Sequence, residues 1–263
     1  LKVTGKMVLP QLCVNNGGQA SLIRLDHVPQ LDQEAPHSEK ALRSLDLWQA
    51  KEGEVVTVID NQMTSYLARL TSLEEGSASC VPLQRLRTPV ESPIQIEVYL
   101  FLPDEKGFEQ LLQRLTELGV NLIVSIQSEC SAAQEERASR QEKSHGWAEV
   151  IRKASRQCRR AMLPELLEVH SFTEALSCAA TKELKLMLHE GDTTWSLTEG
   201  FGSFKPQSVA LLVGPEGGFS ADEVEQAQAE GVLPVSLGPR ILRTETAAMV
   251  AATLVQSYLG DLG

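Results

Sequence analysis

The chain has 263 residues, 42% of them hydrophobic, and carries a formal net charge of −11 at pH 7. This length allows two domains with separate cores, and no stretch approaches the roughly 18 unbroken apolar residues of a membrane-spanning helix. The acidic total argues against a surface that binds nucleic acid everywhere, although a local basic site is compatible with it.

Residues 1–90 are predicted to form a small β-barrel. Short apolar or alternating runs recur there, separated by clusters of Gly, Pro, Asn and Asp, and short strands at such spacing are typical of a barrel. A single helix, at residues 38–47, interrupts the strands. The predicted strands cover residues 7–9, 20–25, 54–59, 66–73 and 79–86.

The segment from Leu86 to Pro93 marks the boundary between two predicted domains, 1–90 and 93–263. Its two prolines and its polar side chains are typical of a linker. Beyond it, strands alternate with helices, which predicts an α/β domain built on a parallel sheet with helices on both faces. The polar stretch 129–144 is expected to be a loop or an exposed helix. The other predicted elements are strands at 94–102, 120–126 and 184–188, and helices at 106–118, 147–162 and 172–179.

One short segment concentrates positive charge. Residues 152–160, RKASRQCRR, contain five basic and no acidic side chains. Such a run within an acidic chain predicts a helix that binds phosphate groups locally. The alternative is a solvated helix face, and the residues alone do not decide between the two.

Two strand–turn–helix units follow one another between Ser208 and Thr253. The first consists of a strand at 209–213, the turn GPEGGF and a helix at 220–229, where Ser220 and Glu223 fit a capping box. The second consists of a strand at 232–237, the turn GPR and a helix at 244–258. Glycine-lined loops at the ends of parallel strands let the backbone approach a ligand closely, so the sequence predicts a ligand site here.

These two loops resemble the paired signature of a known family. GPEGGFSADEVE and SLGPRILRTETAA are similar to motifs of the RsmE family, methyltransferases that use S-adenosylmethionine to modify N3 of a uridine in small-subunit ribosomal RNA. The resemblance implies a SPOUT-type parallel sheet with a C-terminal trefoil knot, preceded by a PUA-like β-barrel that helps to hold RNA. It also implies a homodimer that pairs through helices near the knot.

In that family three loops grip the cofactor, and the resemblance carries them onto this sequence. The glycines would keep side chains out of the ligand's volume, and three apolar side chains would form walls. For His189, packing or solvent exposure is the alternative. The implied RNA contacts are Arg43, Arg152, Arg156, Arg159 and Arg160. The implied cofactor-binding residues are Leu188, His189, Gly214, Pro215, Glu216, Gly217, Gly218, Leu237, Gly238, Ile241, Leu242, Arg243, Thr246 and Ala247.

Arg243 and Glu245 are the predicted catalytic residues. Arg243 can hold a phosphate bidentately, or it can stabilise the anion that forms when uracil N3 loses its proton. Glu245 or Glu216 could accept that proton, and both could equally bond backbone amides at a helix start. The sequence therefore does not name a base, and bulk water could serve.

Neither a metal ion nor a disulfide framework is expected. The five histidines form no HxxxH or HxH pair and the five cysteines form no CxxC pair, which argues against zinc and for a reducing, cytoplasmic setting. The first ten residues, LKVTGKMVLP, show no targeting pattern.

Two other functions remain open on the sequence. A nucleotide- or NAD-binding α/β enzyme would use similar glycine loops, but the chain has neither GxGxxG after a strand nor GxxxxGK[ST]. A non-catalytic RNA-binding or ribosome-assembly factor could share the fold and would not transfer a methyl group.

Overall fold

The computed structural model describes residues 17–101, 105–127, 134–190, 195–203 and 205–263, and every structural statement below refers to these residues. The predicted strand at residues 7–9 lies outside them, and so do residues 129–133 of the predicted polar stretch.

An antiparallel sheet forms the N-terminal part of the described chain. Its strands are β1 (Ala35–Pro36), β2 (Val55–Ile59), β3 (Ser65–Glu74) and β4 (Ser77–Arg85), in the order β1-β4-β3-β2. Helix α1 (Glu39–Leu47) connects β1 to β2. The predicted strands 54–59, 66–73 and 79–86 and the predicted helix 38–47 are therefore confirmed, with small shifts at their ends.

The predicted strand at residues 20–25 is wrong in its first half. Gly18–Ser21 form a 3-10 helix, and Gly18 has a φ of 66°. The Gly18 N–H donates to the Leu163 carbonyl at 2.7 Å, which attaches this segment to the other half of the chain rather than to the sheet. Only the following residues run beside β2, where the Leu25 N–H donates to the Ile59 carbonyl at 2.8 Å.

A parallel sheet forms the rest of the molecule, with the strand order β10-β8-β9-β5-β6-β7. Its strands are β5 (Gln95–Phe101), β6 (Leu122–Gln127), β7 (Glu165–Ser171), β8 (Leu184–Leu188), β9 (Ser208–Val213) and β10 (Leu233–Val235). Its helices are α2 (Glu105–Glu117), α3 (Gln134–Gln157), α4 (Phe172–Ala179), α5 (Leu197–Gly200), α6 (Ala221–Ala229) and α7 (Thr244–Leu259).

The central strand β9 is an apolar run after Ser208, and β5 is apolar apart from Gln95 and the buried Glu97, because both faces of the sheet are covered. Buried side chains of α2, α3 and α7 pack on one face, and those of α4 and α6 pack on the other. The predicted α/β architecture is thus confirmed. The capping box of α6 is confirmed too, since the Ser220 side chain accepts from the Glu223 N–H and the Glu223 carboxylate accepts from the Ser220 N–H.

Strand β7 was not predicted from the sequence. Its residues ELLEVHS mix apolar positions with Glu165, Glu168 and His170, whereas a doubly covered strand is mostly apolar. It lies at the edge of the sheet, where it pairs only with β6, and most of its residues are only partly buried. The apolar pattern is weak because the edge position does not require a stronger one.

Helix α3 also differs from its prediction at both ends. It begins at Gln134, so residues 134–144 are helical, which is one of the two alternatives expected for this stretch, and they continue into the predicted helix 147–162. The helix ends at Gln157 rather than at residue 162. The early end is accompanied by a left-handed residue, Arg159, whose φ is 61°.

One buried apolar cluster runs across the predicted domain boundary. It contains Val58 and Leu70 of the antiparallel sheet together with Ile96 and Val98 of the parallel sheet. A second cluster, which includes Tyr99 of β5, lies on the opposite face of the parallel sheet. The two halves of the chain therefore share a core.

The segment between β4 and β5 contains no helix or strand, as predicted for a linker, but it is firmly attached. The Glu91 carboxylate accepts from Arg160 Nη2 at 2.7 Å and from the Ala161 N–H at 2.8 Å. Arg160 in turn donates through Nη1 to the Val120 carbonyl at 2.6 Å. This segment is thus fixed by a buried ion pair to the end of α3 and the start of β6.

None of the helices within the described ranges has both the length and the apolar character needed to cross a bilayer. Three cysteines lie in these ranges, Cys80, Cys158 and Cys178, and no disulfide joins any two of them.

Because His37 is buried, we expect the stability of the fold to depend on pH. It is 9% exposed, and neither ring nitrogen has a hydrogen-bond partner among the described residues. Burial lowers the pKa of His37 from 6.5 to about 4. The unfolded chain therefore binds a proton below pH 6.5 that the folded chain takes up only near pH 4, so stability falls as the pH falls through this window. From the pKa difference we expect this residue to lower the free energy of unfolding by about 3 kcal/mol between neutral pH and pH 4.

Urea unfolding of the wild type and of His37→Leu at several pH values measures this effect. The variant should lose less stability on acidification than the wild type does. His27→Leu, which removes an exposed histidine, is the control and should follow the wild-type profile. Parallel profiles for the wild type and His37→Leu would contradict the prediction.

Candidate active site

Three loops meet at one edge of the parallel sheet. They follow β8, β9 and β10, which are neighbours in the sheet and run parallel, so their carboxyl ends lie side by side. The His189 N–H donates to the Val235 carbonyl at 3.0 Å, which joins the first loop to the third strand. The Thr244 hydroxyl donates to the Gly214 carbonyl at 2.9 Å, which joins the start of α7 to the second loop.

The loops enclose a cleft with about 510 Å³ of empty space, including its open mouth. The outer end of parallel strands is a usual place for small-molecule sites. The cleft is lined by Leu188, His189, Glu190, Val213, Gly214, Pro215, Gly218, Ser236, Leu237, Gly238, Arg240, Leu242, Thr244 and Ala247.

Most of the residues expected to bind a cofactor lie together in this cleft. These are Leu188, His189, Gly214, Pro215, Gly218, Leu237, Gly238, Leu242 and Ala247. The remaining ones, Glu216, Gly217, Ile241, Arg243 and Thr246, do not line it.

Several cleft residues were not identified from the sequence. They are Glu190, Val213, Ser236, Arg240 and Thr244. Ser236 shapes the third loop, because its hydroxyl accepts from the Gly238 N–H at 3.1 Å. A hydroxyl two residues before a turn glycine is a local signal that could have found Ser236. No comparable local signal exists for Glu190.

Two glycines of the cleft adopt conformations that side chains disfavour. Gly218 has a φ of 73° and Gly238 a φ of 111°. A Cβ added at either position would meet no atom within 4 Å, so both border open space. A larger residue would therefore strain the backbone and place its side chain in the space beside the loops. Gly214 serves packing instead, since its added Cβ would lie 3.1 Å from the Phe219 ring.

The predicted catalytic residues lie beside the cleft rather than in its lining. Arg243 is the N-terminal capping residue of α7 and is exposed, and its side chain makes no capping hydrogen bond. Glu245 is partly buried in the first turn of the same helix, whereas Glu216 is exposed on the second loop. Leu242 and Thr244, its two neighbours in the chain, both line the cleft, so the exposed Arg243 lies next to it.

The expectation that Arg160 contacts RNA is wrong. The residue is only 4% exposed, and its guanidinium is bound to Glu91 and to the carbonyls of Thr116 and Val120. A buried guanidinium with this set of partners offers no donor to a ligand at the surface.

The other four predicted RNA contacts lie in different environments. Arg43 on α1 and Arg159 beyond α3 are exposed. Arg152 is 12% exposed and pairs with Glu149 at 2.9 Å. Arg156 contacts the N-terminal half of the chain, so it has a structural role at least.

No cluster of three or more His, Cys, Asp or Glu side chains suited to a metal ion occurs among the residues that the structure describes.

Comparison with known proteins shows what the chain is similar to. Residues 90–256 match a family model described as RNA methyltransferase domain. The chain is 26% identical over 216 residues to Ribosomal RNA small subunit methyltransferase E of Bacillus subtilis (strain 168), with 80% of this chain and 84% of the relative covered. It is 28% identical over 212 residues to the protein of the same name from Buchnera aphidicola subsp. Schizaphis graminum, with 81% and 85% covered.

A solved structure resembles the whole described fold. The crystal structure of a Ribosomal RNA small subunit methyltransferase E from Neisseria gonorrhoeae bound to S-adenosyl methionine matches with a TM-score of 0.65 and 29% sequence identity. The match covers 92% of this chain and 98% of the other.

Proposed function

Because the chain belongs to the RNA methyltransferase domain family, we propose that it transfers a methyl group from S-adenosylmethionine to small-subunit ribosomal RNA, at N3 of a uridine. The cleft is the observation that carries the proposal. Three loops meet there, and two of them contain glycines with positive φ that border open space. The relatives named for methylation of this RNA, one of them bound to S-adenosyl methionine, support the choice of cofactor and substrate.

The cleft residues fit this cofactor in their chemistry. Leu188, Leu237 and Leu242 would supply apolar surface, and Gly218 and Gly238 would leave room for close backbone contact. When bound, the cofactor supplies a methyl group already activated by a sulfonium centre. The chain therefore has to bind, orient and exclude water, and it does not need to activate the donor.

Arg243 is our candidate for the acceptor side of the reaction. Uracil N3 must lose its proton before its lone pair can attack, and a guanidinium at the rim would stabilise the anion that results. The exposed Arg243 side chain, which makes no capping bond, is free of the role that a capping residue usually has. Glu245, in the first turn of α7, is the carboxylate we propose for the proton, with solvent water as the alternative acceptor.

We further propose that the parallel sheet ends in a SPOUT-type trefoil knot. Helix α7 packs on β5 and β9 and also contacts α5, which belongs to the connection from β8 to β9. The rings of Phe201 and Tyr258 lie 5.3 Å apart at this contact. These contacts of the end of the chain with both the sheet and an earlier connection support the proposal.

The N-terminal third, residues 1–90, is proposed to be a PUA-like barrel that precedes the methyltransferase domain at 93–263. The antiparallel sheet supports this proposal. The segment that ends at Leu25 supports it too, because it runs beside β2 and bonds to the edge of the sheet.

A homodimer is proposed to form through the surface around α7. Large apolar side chains are exposed in this part of the molecule, among them Trp195, Ile241 and Tyr258. Ile241, which is 78% exposed, belongs to the third cleft loop, so pairing there would bring the partner close to the cleft.

Incubation of unmethylated small ribosomal subunits with the protein and isotope-labelled S-adenosylmethionine tests the function. Label should enter the ribosomal RNA, and nuclease digestion should release it as N3-methyluridine. Label at another position would retain the methyltransferase and overturn the N3 assignment. Cofactor binding without any transfer would favour a non-catalytic RNA-binding factor.

Gly238→Val should abolish this transfer by preventing cofactor binding. The valine would be strained at a φ of 111° and would project into the space beside the loop. We expect cofactor affinity to fall by about 100-fold or more, as measured by calorimetric titration. Gly76→Val is the matched control, because Gly76 also has a positive φ, of 87°, and borders open space, but it lies in the turn between β3 and β4. Equal losses for the two variants would mean that strain rather than the cleft is responsible.

A further inference from the structure

A cavity lies between the antiparallel sheet and the carboxyl end of α3. It contains about 700 Å³ of empty space, including its mouth. Val55 and Thr57 of β2 line one side, and Arg156, Arg159 and Arg160 line the other. Three guanidinium groups thus border one cavity in a chain whose net charge is −11.

The three arginines differ in how far a nearby carboxylate neutralises their positive charge. Arg160 is neutralised by Glu91 at 2.7 Å. Arg156 has Glu54 at 3.6 Å, and its Nη2 donates to the carbonyls of Trp48 and Gln49. Arg159, which is exposed, has no carboxylate within ion-pair distance among the described residues.

Arg156 also has an unused donor. Its Nε is buried and has no hydrogen-bond partner among the described residues. A buried N–H without an acceptor is costly, and a guanidinium N–H is among the strongest donors for an anionic oxygen. The cavity therefore contains one guanidinium without a counter-charge and, on the neighbouring arginine, one donor without an acceptor.

The backbone at Arg159 is strained in a way that packing does not require. Its φ is 61°, the left-handed conformation that glycine usually adopts just after a helix. The Arg159 N–H donates to the Arg156 carbonyl at 3.2 Å and the Arg160 N–H to the Ser155 carbonyl at 2.9 Å, which closes the helix end. The Thr57 hydroxyl donates to the Arg159 carbonyl at 2.8 Å and fixes this residue against β2. A glycine could make all of these backbone contacts without strain, which makes the arginine side chain a candidate for a functional role.

We propose that this cavity binds a phosphodiester group of RNA, with the Arg159 guanidinium as the main donor and Arg156 Nε as a second one. The choice of RNA as the source of the phosphate rests on the function proposed above. The phosphate would receive charge-assisted hydrogen bonds from both arginines, and the exposed apolar side chain of Val55 would lie beside the ribose.

Arg159→Gly separates this role from a structural one. Glycine relieves the strain at the left-handed position, so the Tm should stay unchanged or rise by roughly 2–4 °C. Affinity for unmethylated small-subunit ribosomal RNA should fall about tenfold, and the slope of log affinity against log salt should become shallower by about 0.7 to 0.9. Lys153→Ala is the matched control, because it removes one positive charge from an exposed position of α3 that does not line the cavity. It should change RNA affinity by less than about threefold.

Fluorescence anisotropy with labelled RNA over a salt series, and thermal unfolding of the same preparations, give these values. Unchanged RNA affinity in Arg159→Gly overturns the proposal, and so does an effect no larger than that of Lys153→Ala. A lower Tm would assign Arg159 to packing and would also overturn it. Competition by inorganic phosphate at constant ionic strength distinguishes the sources. If Arg159→Gly loses phosphate binding but keeps its RNA affinity, the site is one for free phosphate and the proposal for RNA is wrong.

The same preparations keep this inference separate from the proposed function. Normal methyl transfer by the wild type with unchanged RNA affinity in Arg159→Gly would overturn the phosphate site alone. A tenfold loss of RNA affinity in a protein that transfers no methyl group would overturn the proposed activity and leave the site in place.

Discussion

Replacing Arg160 with alanine should lower the free energy of unfolding by about 3–5 kcal/mol. The substitution would leave the partly buried Glu91 carboxylate without its counter-charge and would remove the donors that Thr116 and Val120 use. Glu91 would keep only the backbone N–H donors of Ala161 and Met162, so the attachment of the linker to the end of α3 would be weakened. Equilibrium unfolding in urea measures the change.

Arg114→Ala provides the comparison for Arg160→Ala. Arg114 also pairs with a glutamate, Glu117, at 3.0 Å, but its side chain is 58% exposed. Exposed pairs of this kind contribute between zero and about 1 kcal/mol. A loss for Arg160→Ala that is no larger than the loss for Arg114→Ala would show that the buried pair does not hold the two halves together.

Replacing Arg243 with alanine should lower kcat by about 100- to 1,000-fold while the Kd for S-adenosylmethionine changes by less than about threefold. The reason is its position: Arg243 is exposed beside the cleft and does not line it, so its partner is expected to be the RNA. Single-turnover methyl transfer and calorimetric titration of the cofactor measure the two quantities separately.

Arg240→Ala is the control for this prediction. Arg240 lies in the same loop but lines the cleft, so its loss should weaken cofactor binding. If Arg243→Ala weakens cofactor binding as strongly as it lowers turnover, Arg243 belongs to the cofactor site and the role proposed for it at the acceptor is wrong.

The C-terminal elements could be predicted from the sequence because each has a strong local signal. The apolar run before GPEGG is β9, and Ser220 and Glu223 begin α6 with the capping box that their spacing indicates. The glycines of the two turns likewise allowed the cleft loops to be predicted, because the backbone conformation at a glycine is a local property. In contrast, the edge strand β7 lacks a strong apolar pattern, because a strand that is only partly buried does not need one.

The basic run at residues 152–160 is a case in which the local sequence pattern does not predict the role of each arginine. Arg152, Arg156 and Arg160 are spaced by four residues, so a helix places them along one side, and the sequence does not tell whether that side faces solvent. The answer depends on Glu91, which is 69 positions from Arg160 in the chain. Long-range pairing of this kind leaves no trace in the composition of the run itself, so a buried structural arginine was grouped with exposed ones.

The shared apolar cluster has a consequence for how the protein melts. Although topology divides the chain into an antiparallel part and a parallel part, Val58 and Leu70 are packed in the same continuous interior as Ile96 and Val98. Neither part can unfold without exposing apolar surface of the other, so we expect both parts to unfold on heating in a single cooperative step. In thermodynamic terms the two modules are one unit.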